Sequence, residues 1–399
     1  MRIAHVFFRT RFEEGGTLRA AMDISRVLAA RGHDVRWLTH DDTDVPEAWR
    51  SEPATPEVRT IPAPTGPLGF YTRAQARAVR EAIGDSEVVH LHGIWQPTTA
   101  QSFRAASSIG VPCVLSTHGM LDDWSMAQSS LKKALYTRLV AGPMLRGVRA
   151  FHTTAEDERR QAGRRIDARR AQVIPYITDL DPFRELPGPA LARERFGLDP
   201  GRPSVLYLSR LHYKKQPEVL IDAAALWRDA GQDTVLLLAG PGEDGYVASL
   251  RRRAEAAGLG EDRCRFLGMV TGELKLSLYE AADLFAMPTS QENFGLVYTE
   301  ALACRTPIVA TRGTDIWREL EATGGATIAE PTPGAFAEAV GGLLADREAL
   351  AGMGERGRAG VFEWLEPDAL AREYEAMYER AASAEASRQP SGQPAGVAP

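Results

Sequence analysis

The chain has 399 residues, of which 44% are hydrophobic and 25% are charged, a composition typical of a globular protein large enough for two domains. Its formal net charge is −6, and the first half is too weakly basic to indicate nucleic-acid binding. The chain shows no targeting signal and no apolar stretch long enough to cross a membrane, and its three cysteines match no metal or disulfide spacing, so we expect a cytoplasmic protein.

Strand-like runs alternate with amphipathic helical stretches along almost the whole chain, which predicts an α/β fold with parallel sheets and helices on both faces. In the first half, strands are predicted near residues 2–8, 35–39, 87–91, 112–116, 149–153 and 172–174. Helices are predicted near residues 16–31, 72–82, 97–109, 129–145 and 155–162. In the segment Arg31-Gly-His-Asp-Val35, the glycine ends the first helix before the second strand.

A second α/β series follows Leu186-Pro-Gly-Pro189, within a stretch whose proline and glycine content indicates a domain boundary. Its strands and helices are predicted near residues 205–209, 215–230, 234–239, 246–257, 264–267, 272–287, 295–310 and 334–345. We therefore predict Rossmann-like domains at residues 1–180 and 181–367, a C-terminal helix at 368–382 and a disordered tail at 383–399. Two doubly wound domains that face each other would leave a ligand-binding cleft at the carboxyl ends of both sheets.

Two glutamates, Glu292 and Glu300, form the most informative feature of the sequence. A mostly apolar run at 282–287 predicts a strand, a polar loop follows, and a helix opens near Phe294-Gly295-Leu296. The free N–H groups at a helix start bind phosphate or hydroxyl oxygens, and carboxylates accept hydrogen bonds from sugar hydroxyls. The arrangement suits a nucleotide sugar, and the alternative is an ordinary helix start with two solvated glutamates.

Two motifs of the first half also follow predicted strands. Gly15-Gly16-Thr17 lets the backbone approach a diphosphate, or else forms a plain tight turn. The segment Ser116-Thr117-His118-Gly119-Met120 places His118 where its ring or its backbone carbonyl could serve a reacting sugar, although a lone histidine is more often structural. We interpret His90 as a core residue and leave the role of His92 open.

A basic loop, Ser209 to Lys215, follows the first strand of the second half. Arg210 and Lys215 could clamp a diphosphate, since an arginine fork is bidentate and a lysine is a mobile point charge, but a solvated basic loop is the alternative. The glycines of residues 240–245 fit the dinucleotide pattern G-x-G-x-x-G. However, Glu243 and Asp244 would repel a pyrophosphate, so we do not expect NAD binding.

A longer set of motifs occurs in one order along roughly positions 1–380. It comprises Gly15-Gly16, Arg31-Gly-His-Asp-Val35, His92-Gly-Ile-Trp95, Thr117-His118-Gly119-Met120-Leu121, Arg210, Lys215, Phe266-Leu-Gly268-Met-Val270, Glu292, Glu300, Ala301-Leu-Ala-Cys304 and Trp317-Arg-Glu-Leu320. The set resembles that of family-4 retaining glycosyltransferases of the GT-B fold. The resemblance implies a first domain that binds the acceptor and a second that binds a nucleotide-sugar donor.

The resemblance also implies roles for individual residues around the reaction centre. The amide of Gly16 would approach the donor phosphate, and His118 would lie beside the anomeric carbon. Arg210 and Lys215 would neutralise the diphosphate. No metal cofactor is expected, because no carboxylate pair with metal spacing borders a motif.

Further residues would bind the rest of the donor. The resemblance implies that Gly268 borders the nucleobase and that Glu300 binds the ribose hydroxyls. Glu292 would bind the transferred sugar, together with the backbone amides of Phe294, Gly295 and Leu296.

The chain departs from the family pattern at two places. Tyr176-Ile177 stands where Asn-Gly is usual, and Cys304-Arg305 stands where Cys-Gly is usual, which would bring a bulky cation near the rear of the site. Retention usually requires a carboxylate nucleophile, and the nearest candidates, Asp122 and Asp123, fit a loop start equally well. The resemblance favours front-face displacement, in which the leaving diphosphate accepts the proton of the acceptor.

We therefore predict a hexosyltransferase that moves a sugar from a nucleoside diphosphate to a sugar or lipid-linked sugar acceptor, with retention, in bacterial polysaccharide or glycoconjugate biosynthesis. The alternatives are a GT-B nucleotide-sugar epimerase or hydrolase, and an inactive sugar-nucleotide-binding partner subunit.

Basic and apolar residues between Lys132 and Arg146 recur at near-helical spacing. This pattern fits a helix on the inner membrane face, or a core-facing helix with a solvated basic face.

Overall fold

The computed structural model describes residues 1–383, which divide into two compact units. The first unit holds residues 1–177 together with residues 367–383, and the second holds residues 178–366. The C-terminal helix, predicted as a separate element, thus groups with the first unit. The predicted tail lies outside the described residues, except for Ser383 at the end of that helix.

The first unit is built on a parallel sheet. Its strands are β1 (Arg2–Val6), β2 (Asp34–Thr39), β3 (Glu57–Thr60), β4 (Val88–His92), β5 (Cys113–Ser116), β6 (Ala150–Thr153) and β7 (Ala171–Val173). Its helices up to residue 177 are α1 (Gly16–Ala30), α2 (Ala48–Ser51), α3 (Arg73–Ile83), α4 (Pro97–Ser107), α5 (Asp123–Ala127), α6 (Ser130–Tyr136), α7 (Gly142–Gly147) and α8 (Glu156–Ala162). The strand order is β3-β2-β1-β4-β5-β6-β7.

The register of this sheet decides which side chains meet. His5 on β1 pairs with His90 on β4, and Ser116 on β5 pairs with both His92 on β4 and His152 on β6. Strand β4 is buried throughout, as expected of a central strand of a parallel sheet covered on both faces. Strand β3 was not predicted, because it is a short, half-exposed strand at the edge of the sheet.

The helix predicted at 129–145 is interrupted. One turn of π-helix at Thr137–Ala141 separates α6 from α7, which begins at Gly142-Pro143. Proline lacks a backbone N–H and its ring clashes with the carbonyl four residues earlier, so the regular helix cannot continue through Pro143.

The second unit repeats the architecture with strands β8 (Ser204–Leu208), β9 (Val235–Ala239), β10 (Cys264–Gly268), β11 (Leu284–Ala286), β12 (Ile308–Ala310) and β13 (Ala326–Ile328) in the order β10-β9-β8-β11-β12-β13. Its helices are α9 (Ala190–Phe196), α10 (Pro217–Asp229), α11 (Asp244–Ala256), α12 (Gly272–Ala281), α13 (Leu296–Ala303), α14 (Trp317–Ala322), α15 (Pro333–Leu344) and α16 (Arg347–Trp364). The residues of β8, β9, β11 and β12 are all buried.

The last helix, α17 (Pro367–Ser383), buries Leu370, Tyr374, Met377 and Tyr378, whose spacing places them on one face. The Tyr378 hydroxyl lies 2.8 Å from His90 Nδ1, and Arg31 binds Glu375, so this helix is part of the first unit. Within residues 1–383, none of the helices combines the length and the apolar composition that crossing a bilayer requires.

Candidate active site

Glu292 lies in a loop that is held in place by its backbone. Its N–H donates to the Gly313 carbonyl at 2.8 Å, and its own carbonyl accepts from the Asp315 N–H at 2.9 Å. This short parallel bridge lies beyond the end of β11, at the edge of the sheet where parallel strands present their loops. The carboxylate of Glu292 forms an ion pair with the ammonium of Lys215.

Lys215 ends a short 3-10 turn, Tyr213–Lys215, between β8 and α10. The Lys214 carbonyl accepts from the Ser290 N–H at 3.0 Å and from the Thr289 hydroxyl at 3.2 Å, so this turn is fastened to the Glu292 loop. Lys215 is buried, and burial lowers its pKa well below the ordinary value, with the neighbouring cations Lys214 and Arg210 lowering it further. The structure therefore brings together Lys215 and Glu292, which the sequence predicted separately.

Gly295 is required where α13 begins. Its φ is +69°, and an added Cβ would lie 2.7 Å from the Tyr298 ring and 2.9 Å from Glu292 Cγ. Helix α13 starts at Leu296, as the sequence predicted, and the Phe294 ring stacks on Trp364 with a centroid distance of 5.6 Å. The side chain of Phe294 is thus packed in the core and does not contact a ligand.

Glu300 is bound by two side chains of α12. Lys275 Nζ lies 2.7 Å from Glu300 Oε1, and the Tyr279 hydroxyl lies 3.1 Å from Oε2. Together with the ion pair of Glu292, these contacts rule out the interpretation of the two glutamates as a solvated helix face. Lys275 and Tyr279 were not predicted, although their spacing of four residues places them on one face of α12.

Gly268 and Arg210 border the same edge of the second sheet. Gly268 ends β10 with φ +71°, and its carbonyl accepts from the Gly240 N–H at 2.7 Å. Gly240 has φ +131°, and a Cβ there would lie 2.0 Å from the Ser209 carbonyl oxygen. The first glycine of the pattern at 240–245 therefore allows two loops to pack closely. The side chain of Arg210, in the neighbouring loop, is exposed.

In the first unit, α1 begins at Gly16 immediately after Gly15, which has φ +81°. Among the described residues, no heavy atom lies within 4 Å of the place where a Gly15 Cβ would be, so the space beside Gly15 is open. The residues just before it, Glu13 and Glu14, both pair with Arg9, at 2.8 and 3.1 Å. Gly16 is therefore an exposed residue at a helix start, where the first backbone N–H groups have no partner within the helix.

His118 occupies a left-handed backbone conformation with φ +50°, which costs free energy for a residue with a Cβ. The loop is held by Glu158, a buried carboxylate that the sequence did not reveal. Glu158 Oε1 accepts from the Gly119 N–H and from the Thr117 hydroxyl, each at 2.6 Å, and Oε2 accepts from the Thr154 N–H at 2.6 Å.

Both ring nitrogens of His118 have partners. Nδ1 lies 2.6 Å from the Tyr176 hydroxyl, and Nε2 lies 3.1 Å from Nδ1 of His92. Burial lowers the pKa of His118 to about 3, so the ring is neutral at physiological pH. His90 is fully buried, which confirms its predicted core position, and His92, left open by the sequence, contacts His118 directly.

A cavity of about 150 Å³ adjoins this histidine. Its lining residues are mostly apolar or aromatic, with one arginine and one glutamate among them: Phe7, Phe8, Arg9, Glu14, Thr17, His92, Gly93, Ile94, Trp95, Gln96, His118 and Met120. Such a lining suits a sugar ring, whose apolar face packs on aromatic side chains while its hydroxyls find polar groups.

Comparison with known proteins decides the family. The model of Glycosyl transferases group 1 matches residues 190–360, and that of the Glycosyl transferase 4-like domain matches residues 15–176. The D-inositol 3-phosphate glycosyltransferase of Salinispora tropica is 30% identical, with 88% of this chain and 79% of that protein covered. The protein of the same name from Salinispora arenicola is 30% identical over 88% of this chain and 85% of its own. The chain belongs to the group 1 glycosyl transferases.

Solved structures agree on the fold of this glycosyltransferase, which is GT-B. The HepE protein of Anabaena, solved with UDP and glucose, is 19% identical with a TM-score of 0.76, covering 95% of this chain and 99% of that one. The sucrose-phosphate synthase of Thermosynechococcus elongatus is 23% identical with a TM-score of 0.74, covering 96% and 99%.

The two departures of this glycosyltransferase from the family pattern have structural explanations. Arg305 has φ +63°, the conformation for which glycine is usual, and its guanidinium binds Glu355 of α16 at 2.9 Å. The expected cation at the rear of the site is thus paired with a neighbouring helix. Tyr176, the other departure, contacts His118 directly.

Proposed function

We propose that this glycosyltransferase moves a hexose from a nucleoside-diphosphate sugar to an acceptor hydroxyl with retention of configuration. The observation that carries the proposal is the ion pair of the buried Lys215 with the partly buried Glu292, beside the start of α13. A cation, a carboxylate and free helix N–H groups within one loop cluster match the phosphate and hydroxyls of a sugar diphosphate.

The proposed donor site assigns a role to each charged group. Lys215 and the exposed Arg210 neutralise the leaving diphosphate, which lowers the transition-state energy without a metal. Glu292 accepts hydrogen bonds from the transferred sugar. Glu300, oriented by Lys275 and Tyr279, accepts hydrogen bonds from the ribose.

Retention by front-face displacement is supported by the positions of the carboxylates around the His118 loop. Asp122 caps α5 by accepting from the Ser125 N–H, and Asp123 binds Arg164 at 2.5 Å. Glu158 accepts from three loop residues, so it is not available as a nucleophile. The proposed mechanism therefore relies on the leaving diphosphate to take the proton of the acceptor.

The names of the relatives given above do not by themselves identify the acceptor of this chain. Their names specify D-inositol 3-phosphate, whose phosphate requires a cation. The cavity beside His118 contains Arg9, but this cation already binds Glu13 and Glu14. We therefore propose a neutral sugar or lipid-linked sugar acceptor, in polysaccharide or glycoconjugate biosynthesis.

A two-step experiment tests the function. Thermal stabilisation by a panel of nucleoside diphosphates identifies the donor base, since only a ligand of the folded state raises the melting temperature. Transfer from the matching sugar donors is then measured with neutral sugars, lipid-linked sugars and D-inositol 3-phosphate as acceptors. Transfer to the last compound alone would overturn the acceptor proposal, and an inverted product would overturn retention.

Variants of the same enzyme separate the proposal from its alternatives. Lys215→Ala and Arg210→Ala should each lose about 2–4 kcal/mol of transition-state stabilisation, whereas Arg252→Ala, which removes an exposed cation on α11, should not.

EDTA should have little effect, and a complete loss of activity that Mn²⁺ restores would refute metal-free catalysis. Epimerised or hydrolysed donor without transfer would favour the epimerase or hydrolase, and binding without turnover would favour the inactive subunit.

A specific observation also supports peripheral membrane contact. Leu131, Leu135 and Leu139 are exposed by 86%, 59% and 63%, next to the exposed basic residues Lys132 and Arg138. The segment therefore presents leucines to solvent as well as basic residues, unlike a core-facing helix with only a solvated basic face. Such a stripe suits insertion at the surface of an anionic membrane.

Co-sedimentation with vesicles tests this contact. The parent protein should sediment with phosphatidylserine-containing vesicles and not with pure phosphatidylcholine vesicles, because the basic residues supply the charge attraction. Leu135→Gln with Leu139→Gln should abolish sedimentation, and Leu226→Gln, at an exposed leucine of α10, should not. Equal recovery with both vesicle types would show that the stripe is only a solvated helix face.

A further inference from the structure

Tyr176 begins a chain of buried hydrogen bonds behind the His118 loop. Its hydroxyl lies 2.6 Å from His118 Nδ1, His118 Nε2 lies 3.1 Å from His92 Nδ1, and His92 Nε2 lies 3.1 Å from His5 Nδ1. The rings of His118 and His92 are nearly parallel, as are those of His92 and His5. Strands β1, β4 and β5 place these residues in contact across the sheet.

The chain forces its three histidines into one protonation pattern. Burial lowers the pKa of each ring, so each is neutral and carries a single N–H. Every contact between rings needs one donor and one acceptor. Consequently, all three rings carry the proton on Nδ1, or all three carry it on Nε2. A change of tautomer in the ring at either end of the chain therefore requires the same change in the other two rings.

The buried end of the chain selects between the two patterns. In the part of the chain that the structure describes, Nε2 of His5 is buried and has no hydrogen-bond partner. A buried N–H without an acceptor is rarer and costlier than a bare acceptor nitrogen. The proton should therefore lie on Nδ1 in each ring, with His118 donating to the Tyr176 oxygen.

We propose that Tyr176 and His92 are positioning residues that hold His118 as its Nδ1–H tautomer and thereby stabilise its left-handed backbone. Both ring nitrogens of His118 are occupied, so the ring anchors the loop beside the cavity that His118 lines. The consequence for catalysis rests on the proposed transferase function. The tautomer of His118 does not depend on that function.

A metal ion at these histidines is the competing explanation. Nitrogens of His5, His90 and His92 lie within 4.8 Å of one another. However, His90 already contacts the hydroxyls of Tyr378 and Ser116 at 2.8 and 2.7 Å, and both nitrogens of His92 are occupied. A buried divalent ion would break these contacts.

Nuclear magnetic resonance of ¹⁵N-histidine-labelled full-length protein tests the tautomer without any substrate. We expect Nδ1–H for His118, His92 and His5 in the parent. In Tyr176→Phe we expect His118 to lose this single preference and to populate Nε2–H as well, because either pattern then leaves one buried N–H without an acceptor. Tyr71→Phe removes a buried hydroxyl that has no hydrogen-bond partner among residues 1–383, and Tyr378→Phe acts on His90, so both should leave His118 unchanged. An Nε2–H tautomer in the parent, an unchanged tautomer in Tyr176→Phe, or a stoichiometric metal ion in the purified protein would each overturn the proposal.

Kinetics test the positioning role. Tyr176→Phe should lower kcat about tenfold with donor KM within about twofold, because misplacement affects the transition state more than ground-state binding. His92→Asn puts an amide N–H near the place of Nδ1 and should keep more activity than His92→Leu. Equal kcat in Tyr176→Phe and Tyr71→Phe, or equal rates in the two His92 variants, would overturn the positioning role. If the parent transfers no sugar, the proposed function fails, and the resonance data still decide the tautomer.

Discussion

Glu292 and a bound diphosphate should compete for the same lysine. In the structure, the ammonium of Lys215 is buried against the carboxylate of Glu292. A diphosphate can recruit this ammonium only if the ion pair loosens. We therefore predict that Glu292→Gln binds free nucleoside diphosphate more tightly than the parent, although it transfers sugar more slowly.

The size of the effect follows from the exposure of the pair. A hydrogen bond between charged groups contributes about 1.5–3 kcal/mol, and the side chain of Glu292 is 19% exposed, which reduces the value through solvent screening. If loss of the ion pair makes about 1–2 kcal/mol available for nucleotide binding, the dissociation constant should fall by about 5- to 30-fold. Sugar transfer should fall by about 10²-fold if Glu292 binds the reacting sugar with a charged hydrogen bond.

The pH dependence provides an independent check. Burial already lowers the pKa of Lys215, and removing the Glu292 charge lowers it further, whereas a bound diphosphate raises it. Binding to Glu292→Gln should therefore take up a proton. The added affinity is complete below the pKa of Lys215 in the free variant and is lost as the pH rises from that value through the higher pKa of Lys215 in the complex.

Isothermal titration calorimetry in two buffers of different ionisation enthalpy measures both quantities. Glu300→Gln serves as the comparison and should weaken nucleotide binding about tenfold, because it weakens the proposed hydrogen bond to the ribose. Glu300 is bound by Lys275 and Tyr279, so its replacement should leave the ion pair of Lys215 with Glu292 in place. Weaker nucleotide binding by Glu292→Gln would refute the competition.

Three further changes test how the loops are held. Gly295→Ala should reduce both stability and transfer, because its Cβ would meet Tyr298 and the φ of +69° disfavours a side chain; a melting curve and a rate measurement check it. Glu158→Gln should lower the free energy of unfolding by about 2–4 kcal/mol in urea titrations, since an amide cannot accept from all its present donors. Arg305→Gly should retain stability while Arg305→Val loses about 1–2 kcal/mol, because a β-branched residue is disfavoured at φ +63°.

Much of the fold was predictable because its signals are local. Alternation of apolar strands and amphipathic helices predicted β1, β2 and β4 to β7, and glycine and helix-start patterns predicted where α1 and α13 begin. Helix α16 was missed because glycines interrupt its pattern. These glycines are contact points, since a Cβ on Gly354 would lie 2.2 Å from the Arg305 carbonyl oxygen. Local propensity does not report such a contact.

The sequence by itself determined the family and the separate presence of Glu292, Glu300, Lys215 and His118, because these depend on residue type and order. Only the tertiary structure decided their partners. Glu292 meets Lys215 because loops after two different strands of one parallel sheet end at the same edge. His118 meets Tyr176 because that residue, far along the chain, lies beyond the end of β7. Sheet register and loop packing are cooperative, long-range properties, and no short stretch of sequence contains them.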